Sequence, residues 1–254
     1  AYINFYTAFK KFDIQLGLRT EQTNIRTEQR MGDKKFDSGY IQFFPSAFFN
    51  YEIKPEHKVG FSISRRIDRP GYSELNPFLF LIDPTTYATG RPGLLPQLTW
   101  SYELSYTMKN INIAFNYSHT KDNQNITLAK FNEVFPNIPS PGNVTVQVPL
   151  NLSSSDYFGL NFSAPVRIRK WWNMLTNADL YYQKFNGYFS GTDLNRGKPA
   201  ADIRLNNSFT FKKGWSAELN ASLNTGGQDG FMVANPQWAL SAGVQKSVLK
   251  NKGT

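Results

Sequence analysis

The sequence predicts an all-β chain folded as an antiparallel up-and-down transmembrane β-barrel, a partial one with about eleven strands of a larger barrel. Three observations predict it. Apolar and polar residues alternate at period two through one run after another, as they do where successive strand side chains point to opposite faces. The connections alternate between tight turns and longer loops, the pattern of a barrel whose two ends lie on opposite sides of a membrane. Finally, 21 Phe, 13 Tyr and 5 Trp set an aromatic content of 15%, which suits strands with one lipid face and aromatic residues at the interfaces.

Leu98–Tyr117 carries the clearest signal. Trp100, Tyr102, Leu104, Tyr106 and Met108 alternate with Thr99, Ser101, Glu103, Ser105 and Thr107, and after Lys109-Asn110 the set Ile111, Ile113, Phe115 and Tyr117 alternates with Asn112, Ala114 and Asn116. Each run, at roughly 9–11 residues, can cross a hydrocarbon core as a tilted strand.

Taken in order, Ile3, Phe5 and Phe9 alternate up to a turn at Lys10-Lys11, and Phe12, Ile14, Leu16 and Leu18 lead a second run into a loop around Gly32-Asp33-Lys34. Ile41, Phe43, Ala47, Phe49 and Tyr51 form a third run, in which Pro45 predicts a bulge because proline cannot donate to a ladder. Lys54–His57 reads as a turn into Val59, Phe61 and Ile63. Arg65–Leu98 reads as a long irregular loop, broken by Pro70, Pro77, Pro84, Pro92 and Pro96. Thr120–Pro149 is a polar segment with room for an extra hairpin, Asn125–Val134 with Val144–Leu150. Tyr157–Val166 alternates again, and Arg167–Lys170 reads as its turn. Met174–Tyr182, Ile203–Phe211, Trp215–Leu223 and Trp238–Val244 complete the series, with a turn at Lys212–Gly214, loops over Gly187–Pro199 and Gly226–Gly230, and a last turn near residue 250. Trp100, Trp171, Trp172, Trp215 and Trp238 sit near run ends, where interfacial girdles form.

The 254 residues contain no cysteine, which excludes disulfide stapling and thiolate chemistry. No window approaches the roughly 18 apolar residues of a membrane-spanning helix, and a mean hydropathy of −0.45 is compatible with strands that are polar on one side. The net charge of +9 falls mostly at turns rather than on one stripe interleaved with stacking aromatics, so nucleic acid is not the expected partner. Ala1 opens directly into a strand without a signal peptide and Lys250–Thr254 reads as a turn, so both ends are expected to lie inside a longer protein.

No enzyme is expected. His57 and His119 stand alone and read as solvated side chains, without metal-ligand spacing. Gly191–Lys198 has one residue too many for a phosphate loop, and Pro199 stands where Ser or Thr is required. The 19 carboxylates are scattered, and no catalytic residue, cofactor or metal ligand is nominated.

Two stretches carry a family likeness. Arg65-Arg66-Ile67-Asp68-Arg69-Pro70-Gly71-Tyr72-Ser73-Glu74-Leu75-Asn76-Pro77-Phe78, and Gly90-Arg91-Pro92-Gly93-Leu94-Leu95-Pro96-Gln97 followed by Ser101–Tyr106, resemble the TonB-dependent receptor barrels of Bacteroidetes-type bacteria. Arg91 stands where that pattern has Asn. The resemblance implies a Gram-negative outer-membrane receptor of about 22 strands around an N-terminal plug. Residues 1–254 would then be a portion of the outer-membrane barrel domain, the middle to later wall, with plug and C-terminal strands absent. TonB would be met only through the missing plug segment. It further implies import of an unknown ligand and contact with outer-membrane lipid or lipopolysaccharide. A passive or structural outer-membrane barrel, porin-like or an assembly component, and a secreted all-β binding module are the alternatives.

Two expectations remain. Phe43, Phe49, Phe61, Trp100, Leu104, Phe115, Leu160, Leu205 and Leu219 should share the lipid face, and Glu103, Arg204, Asn206 and Glu218 the lumen face. The Arg65–Leu98 loop should be an ordered part of the ligand-facing surface, with Arg65, Arg66, Arg69, Tyr72 and Arg91 as candidate contacts. Those arginines could equally pair with Asp68, Glu74 and Asp83 to hold the loop's shape.

Overall fold

The computed structural model describes residues 1–29, 34–189, 192–193, 195–230 and 232–248. Eleven strands lie side by side in sequence order: β1 (Tyr2–Phe9), β2 (Phe12–Gln29), β3 (Lys34–Lys54), β4 (His57–Asp68), β5 (Gln97–Met108), β6 (Ile111–Lys130), β7 (Thr145–Arg169), β8 (Trp172–Asn186), β9 (Arg196–Thr210), β10 (Trp215–Asn224) and β11 (Gln237–Lys246). Every neighbouring pair is antiparallel. Among the described residues β1 and β11 are the open edges of the sheet.

Tight turns fall at Lys10-Lys11, Pro55-Glu56, Lys109-Asn110, Lys170-Trp171 and Phe211–Gly214, all at one end of the sheet. The longer connections, 69–96, 131–144, 187–195 and 225–236, are at the other. Residues 30–33 of the loop read around Gly32, residues 191 and 194 of the Gly191–Lys198 stretch, and the turn near residue 250 lie outside the described residues. The turn Lys54–His57 shows the local chemistry: Pro55 presets the first central φ, and Glu56 takes a left-handed φ of 64°. A side chain there costs up to about 1–2 kcal/mol, so Glu56→Gly is expected to raise stability by a few tenths to about 1 kcal/mol, readable as a higher urea midpoint.

Cross-strand register sorts the side chains. One row crosses all eleven strands through Phe9, Phe12, Tyr51, Val59, Tyr106, Ile113, Phe162, Ala178, Ile203, Leu223 and Trp238, and every member is apolar or aromatic. Cross-strand register puts Phe49, Phe61, Leu104, Phe115 and Leu160 in a second such row, and strand alternation places Phe43, Trp100, Leu205 and Leu219 on the same face. Glu103, Arg204, Asn206 and Glu218 take the opposite face. There Asn161 Nδ2 donates to Asp179 at 2.7 Å, the Tyr157 hydroxyl donates to the same carboxylate at 3.1 Å, and Asn224 Nδ2 donates to Asp202 at 2.7 Å.

The row also measures tilt. It starts at Phe9 and Phe12, which flank the first turn, and reaches Leu223 on β10, far along from Trp215 at the base of that strand. With the tight turns as the level reference, the climb is about one residue per strand. A rise of about 3.3 Å per residue and a strand spacing of about 4.8 Å then give a tilt of roughly 35°, the angle of transmembrane barrels.

Several elements differ from their sequence reading. Pro45 sits opposite Leu18 with no bulge between β2 and β3; its missing N–H falls where β3 parts from β4, beyond Ser46 opposite Ser64. Arg65–Asp68 and Gln97–Leu98 are not loop: they are paired across β4 and β5. The extra hairpin expected within Thr120–Pro149 is instead the outward continuation of β6 and β7, paired up to Lys130 opposite Thr145. Strand β7 likewise runs through Arg167 to Arg169, with Ile168 as the extra residue of a bulge and the turn moved to Lys170-Trp171.

Candidate functional site

At the long-loop end, the segment between β4 and β5 is seated on the projecting β6/β7 hairpin. It opens with one helical turn, Tyr72–Leu75, closed by the Glu74 carboxylate accepting from the Gly71 N–H at 2.6 Å. A short hairpin follows, Phe80–Asp83 with Thr86–Ala88. Asp83 accepts from the backbone N–H and the hydroxyl of Thr85, both at 2.8 Å, and these bonds hold its carboxyl below the usual range. Thr86–Ala88 pairs parallel to the start of β7, with Thr145 N–H donating to Thr85 O at 2.9 Å and Thr89 N–H donating to Gln147 O at 3.0 Å.

The Gly90–Gln97 stretch acts as a clasp. Gly90 N–H donates to Asn76 O at 2.8 Å and Arg91 N–H donates to Glu74 O at 2.7 Å. A Cβ on Gly90 would stand 2.6 Å from the carbonyl oxygens of Ser73, Glu74 and Asn76, so only glycine fits this approach. Leu94 is buried, and Leu95 exchanges bonds with the Asn151 amide, its N–H donating to Oδ1 and its carbonyl accepting from Nδ2, each at 2.9 Å. Gln97 Oε1 accepts from the Gln124 N–H at 2.9 Å and from Asn123 Nδ2 at 3.2 Å. Prolines leave this stretch short of ladder donors, and the side-chain amides of Asn151 and Gln124 supply bonds in their place.

Ala129, Val148 and Leu150 form a buried cluster in the hairpin, with Val134 packed against it. Between clasp and hairpin opens a cavity of about 370 Å³ with Thr89, Arg91, Glu133, Phe135, Val148 and Leu150 in its lining. One cationic and one anionic side chain over an apolar wall can hold a small amphipathic molecule. Among the described residues no group of three His, Asp or Glu is placed to hold a metal.

The five sequence-nominated residues do not form one patch. Arg91 lines the cavity, and Tyr72 is exposed on the helical turn. Arg65 lies on the outer face of β4, donating to Phe43 O and Gln42 Oε1 at 3.0 Å each with its guanidinium 5.9 Å from the Trp100 ring; it fills the gap that opens where β3 parts from β4. Arg66 is on the opposite face, 3.7 Å from Asp68. Arg69 pairs with Glu21 at 2.5 Å and not with a loop carboxylate. The sequence reading missed the wall formed by Glu133, Phe135, Val148 and Leu150. Its one signal was the alternation of Val144–Leu150, read as a separate hairpin. His119 is also more than a solvated side chain: its Nδ1 lies 2.8 Å from Asp156 Oδ1.

A family model described as the outer membrane protein beta-barrel family matches residues 1–254. Curated proteins give no match. Among solved structures, the siderophore receptor PirA from Pseudomonas aeruginosa aligns with TM-score 0.65 at 13% identity, over 95% of this chain and 41% of that one. The FrpB iron transporter from Neisseria meningitidis aligns with TM-score 0.61 at 12% identity, covering 98% and 38%. The ferric yersiniabactin uptake receptor FyuA from Yersinia pestis aligns with TM-score 0.60 at 15% identity, covering 98% and 38%. The chain thus spans about two fifths of the length of these structures.

Proposed function

The chain belongs to the outer membrane protein beta-barrel family, a protein of the Gram-negative outer membrane, and from that premise we propose that it is wall of a TonB-dependent receptor importing a small ligand. The observation that carries the reading is the clasp: a proline-rich loop pinned over a cavity at the long-loop end, with Arg91 in its lining. A passive pore needs no such pocket. The similar folds of a siderophore receptor, an iron transporter and a ferric yersiniabactin uptake receptor support the same function class. So does the Gly90–Gln97 motif, in keeping with receptors of Bacteroidetes-type bacteria.

The described wall is a portion of a larger barrel on this reading. Open edges at β1 and β11 would leave backbone N–H and C=O groups unpaired in hydrocarbon, each costing several kcal/mol, so further strands of the same protein close the wall. A plug inside the closed barrel makes the contact with TonB. The outer face meets outer-membrane lipid, and the protein carries out no catalysis.

Uptake of radiolabelled ferric siderophores and copper by cells expressing the intact receptor tests the reading. At least one substrate is expected to accumulate, to stop accumulating when TonB is depleted, and to accumulate about tenfold less in Arg91→Gln, since a charge-assisted contact contributes roughly 1.5–3 kcal/mol. Accumulation that persists without TonB would favour the passive barrel.

A further inference from the structure

We propose that the outer face of β5–β8 carries, just beyond its tyrosine belt, a docking site for the phosphorylated headgroup of an outer-leaflet lipid, built on Lys121, Lys184 and His119. The proposal rests on the reading that this face meets lipid and the long loops face outward. The belt is a single row, Tyr102, Tyr117, Phe158 and Tyr182, with ring centroids 5.9 Å apart between Tyr102 and Tyr117 and 4.8 Å between Tyr117 and Phe158. Below it the face is apolar but for Thr176. The next row toward the loops changes character abruptly: Arg65, Trp100, His119, Asp156 and Lys184 are cross-strand partners, and Lys121 follows one position further on this face, opposite Leu98 and Ser154. Charges on a lipid face are costly at mid-bilayer and cost little at the interface, so this row marks the level of the headgroups.

The row is built rather than merely solvated. Asp156, its one carboxylate, lies 2.8 Å from His119 Nδ1 and accepts from the Tyr117 hydroxyl at 3.1 Å and Asn186 Nδ2 at 3.5 Å. That bonding occupies the anion and aims the His119 ring along the face. Lys121 and Lys184 are exposed and make no ion pair among the described residues. They stand two strands apart and two residues apart along them, about 12 Å in all, the reach of a phosphorylated sugar or glycerol headgroup. The unpaired ammonium groups stand on the belt's own face, one and two rows beyond its rings, and this favours a membrane lipid over a soluble anion.

The intact receptor, extracted from outer membranes in mild detergent, is examined by native mass spectrometry for retained phosphorylated lipid. Retention is expected to fall about fivefold for Lys121→Gln or Lys184→Gln alone, and further in the double variant. Lys198→Gln, on the opposite face, should retain lipid like the parent. Unchanged heat-modifiability on gels reports that each variant is folded. Retention by the double variant equal to the parent, or an equal loss in Lys198→Gln, overturns the proposal. Displacement by millimolar inorganic phosphate also overturns it, since it would identify a site for free anions. Siderophore uptake is expected to be unaffected in the lysine variants, so this proposal and the receptor reading fail separately.

Discussion

Leu104→Arg is expected to abolish the folded barrel, whereas Glu103→Arg, one residue away, leaves it intact. Leu104 sits midway along β5 on the outer face, flanked across the strands by Phe61 and Phe115. Arginine at such a position costs roughly 2–4 kcal/mol in a transmembrane barrel, and the lost leucine adds about 1.5–3 kcal/mol of transfer energy. The sum reaches the lower end of the stability of a typical domain, about 5–15 kcal/mol. Glu103 faces the lumen between Ser62 and Asn116, where water or polar groups meet either charge. Heat-modifiability of the outer-membrane fraction checks the pair: Leu104→Arg should show no compact band and Glu103→Arg a normal one.

Gly90→Ala is expected to release the clasp without unfolding the barrel. The added Cβ would meet three backbone carbonyl oxygens at 2.6 Å, none of which can move without opening the Tyr72–Leu75 turn. Overpacking of this kind costs about 1–3 kcal/mol, and the Gly90 and Arg91 hydrogen bonds lost with it add about 1 kcal/mol each. Limited proteolysis of intact cells should cut within 69–96 in the variant and spare the parent. Gly93→Ala is the control, since nothing lies within 4 Å of a Cβ there, and it should behave like the parent.

Much of the wall was legible because a half-wet strand writes its structure locally. The alternation about Leu104, Phe115 and Leu160 needs only the next residue to be read, and tight turns such as Lys109-Asn110 fix each register. What was not legible depends on partners distant in sequence. Pro45 predicts a bulge by itself; it needs none because β4 diverges there and the Arg65 side chain fills the gap. The outer parts of β6 and β7 lack a membrane-facing pattern, since their apolar residues Val148 and Leu150 are covered by protein, so they read as a separate hairpin. The cavity was illegible for the same reason: Arg91 meets Val148 and Leu150 only after the clasp is seated through Asn151, a residue whose identity alone signals nothing. Arg66 and Arg69 looked like partners of Arg91 along the chain, and the fold sends them to Asp68 and Glu21.

One face of every wall strand meets lipid and the other the lumen. Because the chain contains no cysteine, single thiols can be introduced one at a time for spin labelling. Nitroxides at positions 100 to 108 of the intact protein in outer-membrane lipid should show relaxation by dissolved oxygen with period two. It should be high at Tyr102, Leu104 and Tyr106, where oxygen concentrates in hydrocarbon, and low at Ser101, Glu103, Ser105 and Thr107. Oxygen accessibility without that alternation, or with the two sets exchanged, would show that the strands do not divide lipid from lumen in this way.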